Sequence, residues 1–259
     1  MGYILETFKN TQKAIFKHRI YFIILFFTQI AFIIAISAIF ANYALEFSES
    51  AQKVIEPMGE LTDQRSIMDQ DLSGMMAAYD QMISSVMHFL LFSFIVYIIF
   101  NGINWDLSLL IVNDKEKFMR TIAQFGIFTL IFGIPALFLI SIISRIVLSL
   151  NITSSLLVFI SILLIIVSYF MHISFSLIHE YKIREIKHHI KRTFSMGIRK
   201  TKHLVPVYLI NLTAIAGFFA LVALAADKDL GLSALTIIAF VLVMNITRLY
   251  FITAVKKEL

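Results

Sequence analysis

Long apolar runs alternate with short charged stretches along the whole chain. Six runs reach the roughly 20 apolar residues needed to cross about 30 Å of hydrocarbon. They are Ile20–Tyr43, Ile83–Ile103, Ile122–Ser144, Ser154–Ile178, Leu204–Ala226 and Ser233–Val255. Backbone polar groups in lipid must bond within their own segment, so each run is predicted to be helical despite its many β-branched residues. The expected fold is all-α: a polytopic transmembrane helix bundle of six spans, forming one integral membrane domain over residues 1–259. The first run follows Lys9, Lys13, Lys17 and Arg19 as a signal peptide would. It exceeds the apolar core of a signal peptide, about 7–15 residues, and is read as a retained span.

Three segments between the runs have patterns of their own. Over residues 2–18, Ile4, Phe8 and Ile15 share a helical face with Tyr3 and Ala14, while Glu6, Lys9, Lys13 and Lys17 lie opposite. Leu5 and Phe16 interrupt the pattern. This predicts an N-terminal interfacial helix with its lysines towards anionic lipid. Residues 44–82 form an external segment with eight acids, and Pro57-Met58-Gly59 predicts a turn between two short helices. Six methionines lie in or just beyond it. Thioethers suit Cu(I), but methionine is also adaptable packing material, and no metal site is assigned. Residues 180–203 predict a basic cytoplasmic helix with an apolar stripe of Ile183, Ile186, Ile190 and Phe194. It is expected to continue from span four and to end at Met196-Gly197.

Composition agrees with the pattern. Hydrophobic residues make up 59% and charged residues only 15%, against about a quarter charged in a soluble domain. The chain has no cysteine, which excludes disulfides, thiolate metal sites and a cysteine nucleophile. The net charge of +5 arises from cations placed between the runs. Seventeen Lys and Arg fall in the N-terminal segment, the loop after span two, the 180–203 segment and the C-terminus. The alternate side holds only Lys53, Arg65, Arg145 and Lys228. Positive residues favour the cytoplasmic face, so both termini are expected in the cytoplasm, with the protein in the plasma (cytoplasmic) membrane. Lys182, Arg184, Lys187, Lys191, Arg192, Arg199, Lys200 and Lys202 are candidate contacts for anionic lipid, each cation contributing about 1 kcal/mol near the surface. Nucleic acid is not expected as a partner, because no aromatic stacking platform accompanies the charge. A protein partner at the cytoplasmic face is compatible with the same surface.

Polar residues inside spans are costly unless they have partners or a function. Asn101, His172, Asn211, Asn245 and Arg248, with Gln29, cluster at one depth. They form a candidate inner polar pocket, with Arg248 holding an anionic group. Interhelical hydrogen bonding, with Arg248 snorkelling, is the other explanation. No Walker loop or serine elbow is present, and the spans as drawn contain no Asp or Glu. His179-Glu180 begins like a zinc-protease motif but has Ile183 where the second histidine is required. No catalytic residue, metal or cofactor is assigned. Ala216, Ala220 and Ala223 form a small-residue face suited to helix packing. Lys256-Lys257-Glu258-Leu259 has the form of a dilysine tail, or simply anchors span six.

The stretch from Glu185 to Phe194, Glu-Ile-Lys-His-His-Ile-Lys-Arg-Thr-Phe, is followed by His203-Leu-Val-Pro-Val-Tyr-Leu. This resembles the YciC-like family of six-span membrane proteins, together with the membrane domain attached to some glycerophosphodiester phosphodiesterases. In that family an acidic residue precedes alanine-lysine-arginine-serine-phenylalanine and an apolar helix. Here Ile190 stands in the small-residue position and Thr193 in that of the serine. The resemblance covers about thirty residues and implies a six-span fold, with no catalytic residues to carry over. The expected function is a membrane scaffold or lipid-handling module rather than an enzyme. The alternative is a permease subunit energised by a separate ATPase.

Overall fold

The computed structural model describes residues 2–60, 72–113, 118–149, 153–181, 183–226 and 228–259. Among these it contains eight α-helices, two 3-10 turns and no strand. The helices are α1 (Gly2–Lys17), α2 (Arg19–Glu60), α3 (Leu72–Asn113), α4 (Phe118–Ser149), α5 (Thr153–Ser176), α6 (Ile186–Arg199), α7 (Thr201–Ala225) and α8 (Leu230–Lys257). Six of them, α2 to α5, α7 and α8, contain stretches long and apolar enough to cross a membrane. Large apolar side chains cover much of the surface, unlike in a soluble protein, and several polar ones are buried. Phe27, Ile34, Leu137, Phe138, Phe219, Leu224 and Leu235 are exposed, whereas Gln29, Asn104, Asp106, His189 and Asn245 are buried. In water this arrangement would be unstable, but in hydrocarbon it gives each group a matching environment.

Two elements differ from the sequence expectation. The helices α2 and α3 have 42 residues each, about 63 Å at 1.5 Å per residue. Segments 44–60 and 72–82 are therefore continuations of the two spans rather than two separate short helices. After Tyr43 the sequence is rich in Ala, Glu, Gln and Lys, which favour helix, and Pro57 comes only at the end. Residues 61–71 of the expected external segment, with Met68, Asp63, Arg65 and Asp69, lie outside the described residues.

The second difference is between spans four and five. The helix α5 stops at Ser176 and is followed by 3-10 turns at Ile178–Glu180 and Ile183–Glu185. Tyr181 is extended, and its carbonyl accepts hydrogen bonds from Gln124 Nε2, at 2.9 Å, and from Arg120. That carbonyl is thereby held by α4 side chains, away from any continuing helical ladder. The basic segment then forms α6, which passes through Met196-Gly197 instead of ending there. Gly197 is a crossing point rather than a helix end: a Cβ added there would lie 2.5 Å from Phe170 Cε1.

The chain divides into two units. The first comprises residues 1–29 and 101–259. Its core packs Tyr169, Ile173 and Leu177 of α5 and the following turn against Met196, Leu204, Val207, Phe251 and Val255. The termini meet within this unit: Tyr3 Oη donates to the Ala254 carbonyl at 2.9 Å, and Tyr250 Oη to that of Ile4 at 3.3 Å. Gly102 lets α3 approach α4 closely, since a Cβ there would lie 3.1 Å from the Ile122 Cα. Ala216, Ala220 and Ala223 are exposed on α7, so its packing against α8 uses other residues, among them Asn211. The second unit, residues 30–100, joins the remaining lengths of α2 and α3 through ring contacts such as Phe40 with Phe89 and Tyr43 with Phe92.

Candidate functional site at the end that carries both termini

Polar residues in the first unit form three groups. In the first, Gln29 Oε1 accepts from Asn104 Nδ2 at 2.8 Å and from Arg248 Nη2 at 3.2 Å. The Arg248 guanidinium also lies 5.6 Å from the centre of the Trp105 ring. A buried guanidinium is thus oriented by an amide and an indole face, both neutral. Arg248 does not snorkel; it is buried.

In the second group, Asp106 Oδ1 accepts from Thr121 Oγ1 at 2.7 Å and from His179 Nε2 at 3.0 Å. All three residues are buried. Asp106 lies three residues beyond the end predicted for span two, on the same continuous helix. The sequence contained a signal for this layer: Asn101, Asn104, Trp105 and Ser108 recur at helical spacing. His172 and His179 are seven residues apart, a spacing that would put them on one face of an unbroken helix, but the helix breaks between them and their contacts are separate.

In the third group His189, on α6, is fully buried. It stacks on Phe128 at 4.0 Å between centroids, and its Nε2 lies 2.8 Å from Ser174 Oγ. Burial lowers its pKa to about 4, against the opposing hydrogen bond from Ser174. The buried face of α6 is His189, Thr193, Met196 and Gly197, a set that the apolar stripe of the sequence did not indicate. Ile190 is only partly buried, and Phe194 and Ile198 are 40% and 67% exposed.

The five residues of the expected inner pocket separate as follows. His172, Asn211 and Arg248 line one cavity of about 190 Å³, with Ser168, Tyr208, Thr247 and an apolar remainder. Asn101 and Asn245 are buried but do not line it. Both polar side-chain atoms of Asn245 lack hydrogen-bond partners among the described residues. Asn211 Nδ2 donates to the Thr247 carbonyl at 2.9 Å, while its buried Oδ1 has no hydrogen-bond partner among the described residues.

Of the eight expected lipid-contact cations, Arg184, Lys187, Lys191, Arg192, Arg199 and Lys202 are exposed. Lys182 lies outside the described residues. Lys200 instead pairs with Glu258 at 2.9 Å, and His203 Nδ1 reaches the other Glu258 oxygen at 2.6 Å. Partial burial works to raise the Glu258 pKa, but Lys200 and His203 outweigh it and hold the carboxyl below its usual range. Lys256 donates to the Val112 carbonyl at 2.6 Å and Lys257 pairs with Glu6, so the lysines of the dilysine-like tail are tied to the fold.

On α1 the buried residues are Thr7 and Thr11, with Tyr3, Ile4, Ala14 and Ile15 partly buried. Leu5, Phe8 and Phe16 form a second, exposed apolar edge beside Lys9 and Lys13. The helix α6 likewise has a face docked on the bundle and an exposed side, on which Phe194 and Ile198 share one stripe with Lys187 and Lys191, while Arg192 and Arg199 lie beside it. In comparisons with protein-family models, curated proteins and solved structures, nothing matches this chain.

Proposed function

We propose that this integral membrane protein is a non-enzymatic lipid-handling module whose terminus-bearing end rests on an anionic leaflet, with both termini in the cytoplasm. The supporting observation is that α1 and α6 both dock one face on the bundle and expose large apolar side chains next to lysines and arginines. A helix docked on a bundle in water needs two sectors, one buried and one polar. The additional exposed apolar side chains, Leu5, Phe8 and Phe16 on α1 and Phe194 and Ile198 on α6, are suited to acyl chains. The adjoining lysines and arginines are suited to phosphate headgroups. Membership of the YciC-like family belongs to the same proposal and rests on Glu185–Phe194, which contains all of α6 up to Phe194.

Replacing Lys187, Lys191 and Arg192 together with Gln removes three exposed cations from this surface. The variant should purify with less anionic lipid, by a margin that shrinks as salt rises, while its helix content is unchanged. Equal lipid retention at low salt would refute the proposal. The exposed basic residues of α6 also suit an ATPase of a permease complex, and a stoichiometric nucleotide-binding subunit in mild-detergent purification would favour that reading.

A further inference from the structure

The second unit carries an apolar pattern that lipid alone does not account for. On α2, Phe40, Ala44, Phe47, Ala51 and Val54 follow one another at alternate spacings of four and three. On α3, Met76, Tyr79, Ile83, Val86 and Leu90 do the same. An apolar repeat of about 3.5 residues is the seam of a helix that packs along other helices. The antiparallel helices meet along a neighbouring line, where Ser50, Ala78 and Ser85 are buried and Ser85 Oγ donates to Glu46 Oε2 at 3.2 Å. The stripes themselves stay open: their large side chains are 37% to 69% exposed. Phe40, Ala44 and Phe47 line one groove of about 410 Å³ with Val86 and Leu90, so both stripes lie on the same side of the hairpin. Phe47 is 28 residues into α2 from Arg19, about 42 Å along the helix and past about 30 Å of hydrocarbon. Ser85 is level with Glu46, so Met76 and Tyr79, further towards the start of α3, are past it too. Acyl chains can cover Phe40 and Leu90 but not these. Glu46, Glu49 and Lys53 lie at least about 120° round α2 from its stripe. The outer hairpin thus has a charged side for water and an apolar side left uncovered.

We propose that these stripes are a dimer interface: a second copy of this chain lays its α2–α3 hairpin on the first, forming a four-helix bundle that continues from the membrane into water. Two copies in one membrane share an orientation, so the two-fold axis runs along the membrane normal. That axis sets α2 of each copy against α3 of the other, and every neighbouring pair of helices is then antiparallel, as in an up-and-down bundle. The face is complementary to itself under this rotation. The α2 stripe is recessed at Ala44 and Ala51, whereas the α3 stripe contains nothing smaller than Val86. Phe40, Phe47, Met76, Tyr79, Ile83, Val86 and Leu90, at about half exposure, offer on the order of 600 Å² per copy. Ala44, Ala51 and Val54 add to this, and a stable complex needs roughly 800 Å² per partner. The inference is independent of the lipid-surface proposal and uses different residues.

The test uses the full chain, labelled through Leu259→Cys and reconstituted in phosphatidylcholine liposomes, with single-molecule photobleaching to count the copies in each complex. Two bleaching steps should dominate, and dilution with lipid should convert them to one. Phe47→Glu and Tyr79→Glu each put a carboxylate into the interface at a position outside the hydrocarbon. Each should raise the dissociation constant at least about tenfold while leaving helix content unchanged. If Phe47→Glu does not fold, Tyr79→Glu carries the comparison. Glu49→Gln, on the charged side, should leave the dimer unchanged. Two differently tagged copies, one with Phe47→Cys and the other with Ile83→Cys, should be joined by a short bismaleimide. A pair with Glu49→Cys and Gln81→Cys, at matching depth on the outer sides, should not. A single bleaching step at every protein density would overturn the inference, whether the hairpin is then covered by lipid or by a different protein. A dimer indifferent to both glutamate variants would overturn it as well.

Discussion

At the scale of single residues, His189 shows how burial becomes a pH response. Its neighbours are the Ser174 hydroxyl, the stacked Phe128 and the edge of Tyr181, with no carboxylate among these contacts. Its ordinary pKa of 6.5 falls to about 4 in the fold. The folded state therefore holds a neutral ring where the unfolded chain would take up a proton. Full stability is present above pH 6.5 and is lost progressively as pH falls towards 4, by an amount on the order of 3 kcal/mol. Amide exchange in α6 should accelerate over that interval, and His189→Gln, which keeps a hydrogen-bonding group but cannot titrate, should flatten the dependence. An identical pH profile in the variant would assign the effect elsewhere. The sequence marked His189 only as a member of a basic helix, because nothing local distinguishes it from His188; burial against Phe128 does.

At the scale of elements, α6 depends on one close approach. Gly197 brings α6 against α5, where Phe170 and Ile173 occupy the space that a side chain would need, and Tyr169 donates to the Gly197 carbonyl at 2.9 Å. Gly197→Val should destabilise this docking by about 1–3 kcal/mol through overpacking, seen as faster proteolysis in α6 with the spans intact. A second substitution, Phe170→Ala, should recover part of the loss. Periodicity located α6 and its apolar stripe but did not reveal its buried face. The sequence shows Ile183, Ile186, Ile190 and Phe194 as the obvious apolar stripe, yet in an interfacial helix an apolar edge can satisfy lipid while small and polar residues satisfy the bundle. Leu5 and Phe16, which interrupt the predicted pattern of α1, are explained in the same way.

At the scale of the whole molecule, the prediction concerns topology. The chain has no cysteine, so single introduced cysteines give an unambiguous readout. Glu49 lies 30 residues into α2 from Arg19, about 45 Å along the helix and beyond the hydrocarbon thickness. A cysteine at Glu49 should react with an impermeant reagent on intact cells, whereas one at Lys191 should react only after permeabilisation. The reverse pattern would place the basic helices outside and end the proposal of a cytoplasmic anionic leaflet.

The six apolar helices were legible from the sequence because the cost of unbonded backbone in lipid acts on each segment separately. Hydropathy is local and needs no knowledge of partners. The rotation of each helix, and the side chains it meets, are not local. Asp106 and His179 stand 73 positions apart and Gln29 and Arg248 219 apart, and no periodicity links them. The break after α5 likewise depends on Arg120 and Gln124 reaching across from α4 to the Tyr181 carbonyl. In a bundle whose lipid face and interior are both apolar, polar pairing and close glycine contacts select the packing, and they exist only once the helices meet.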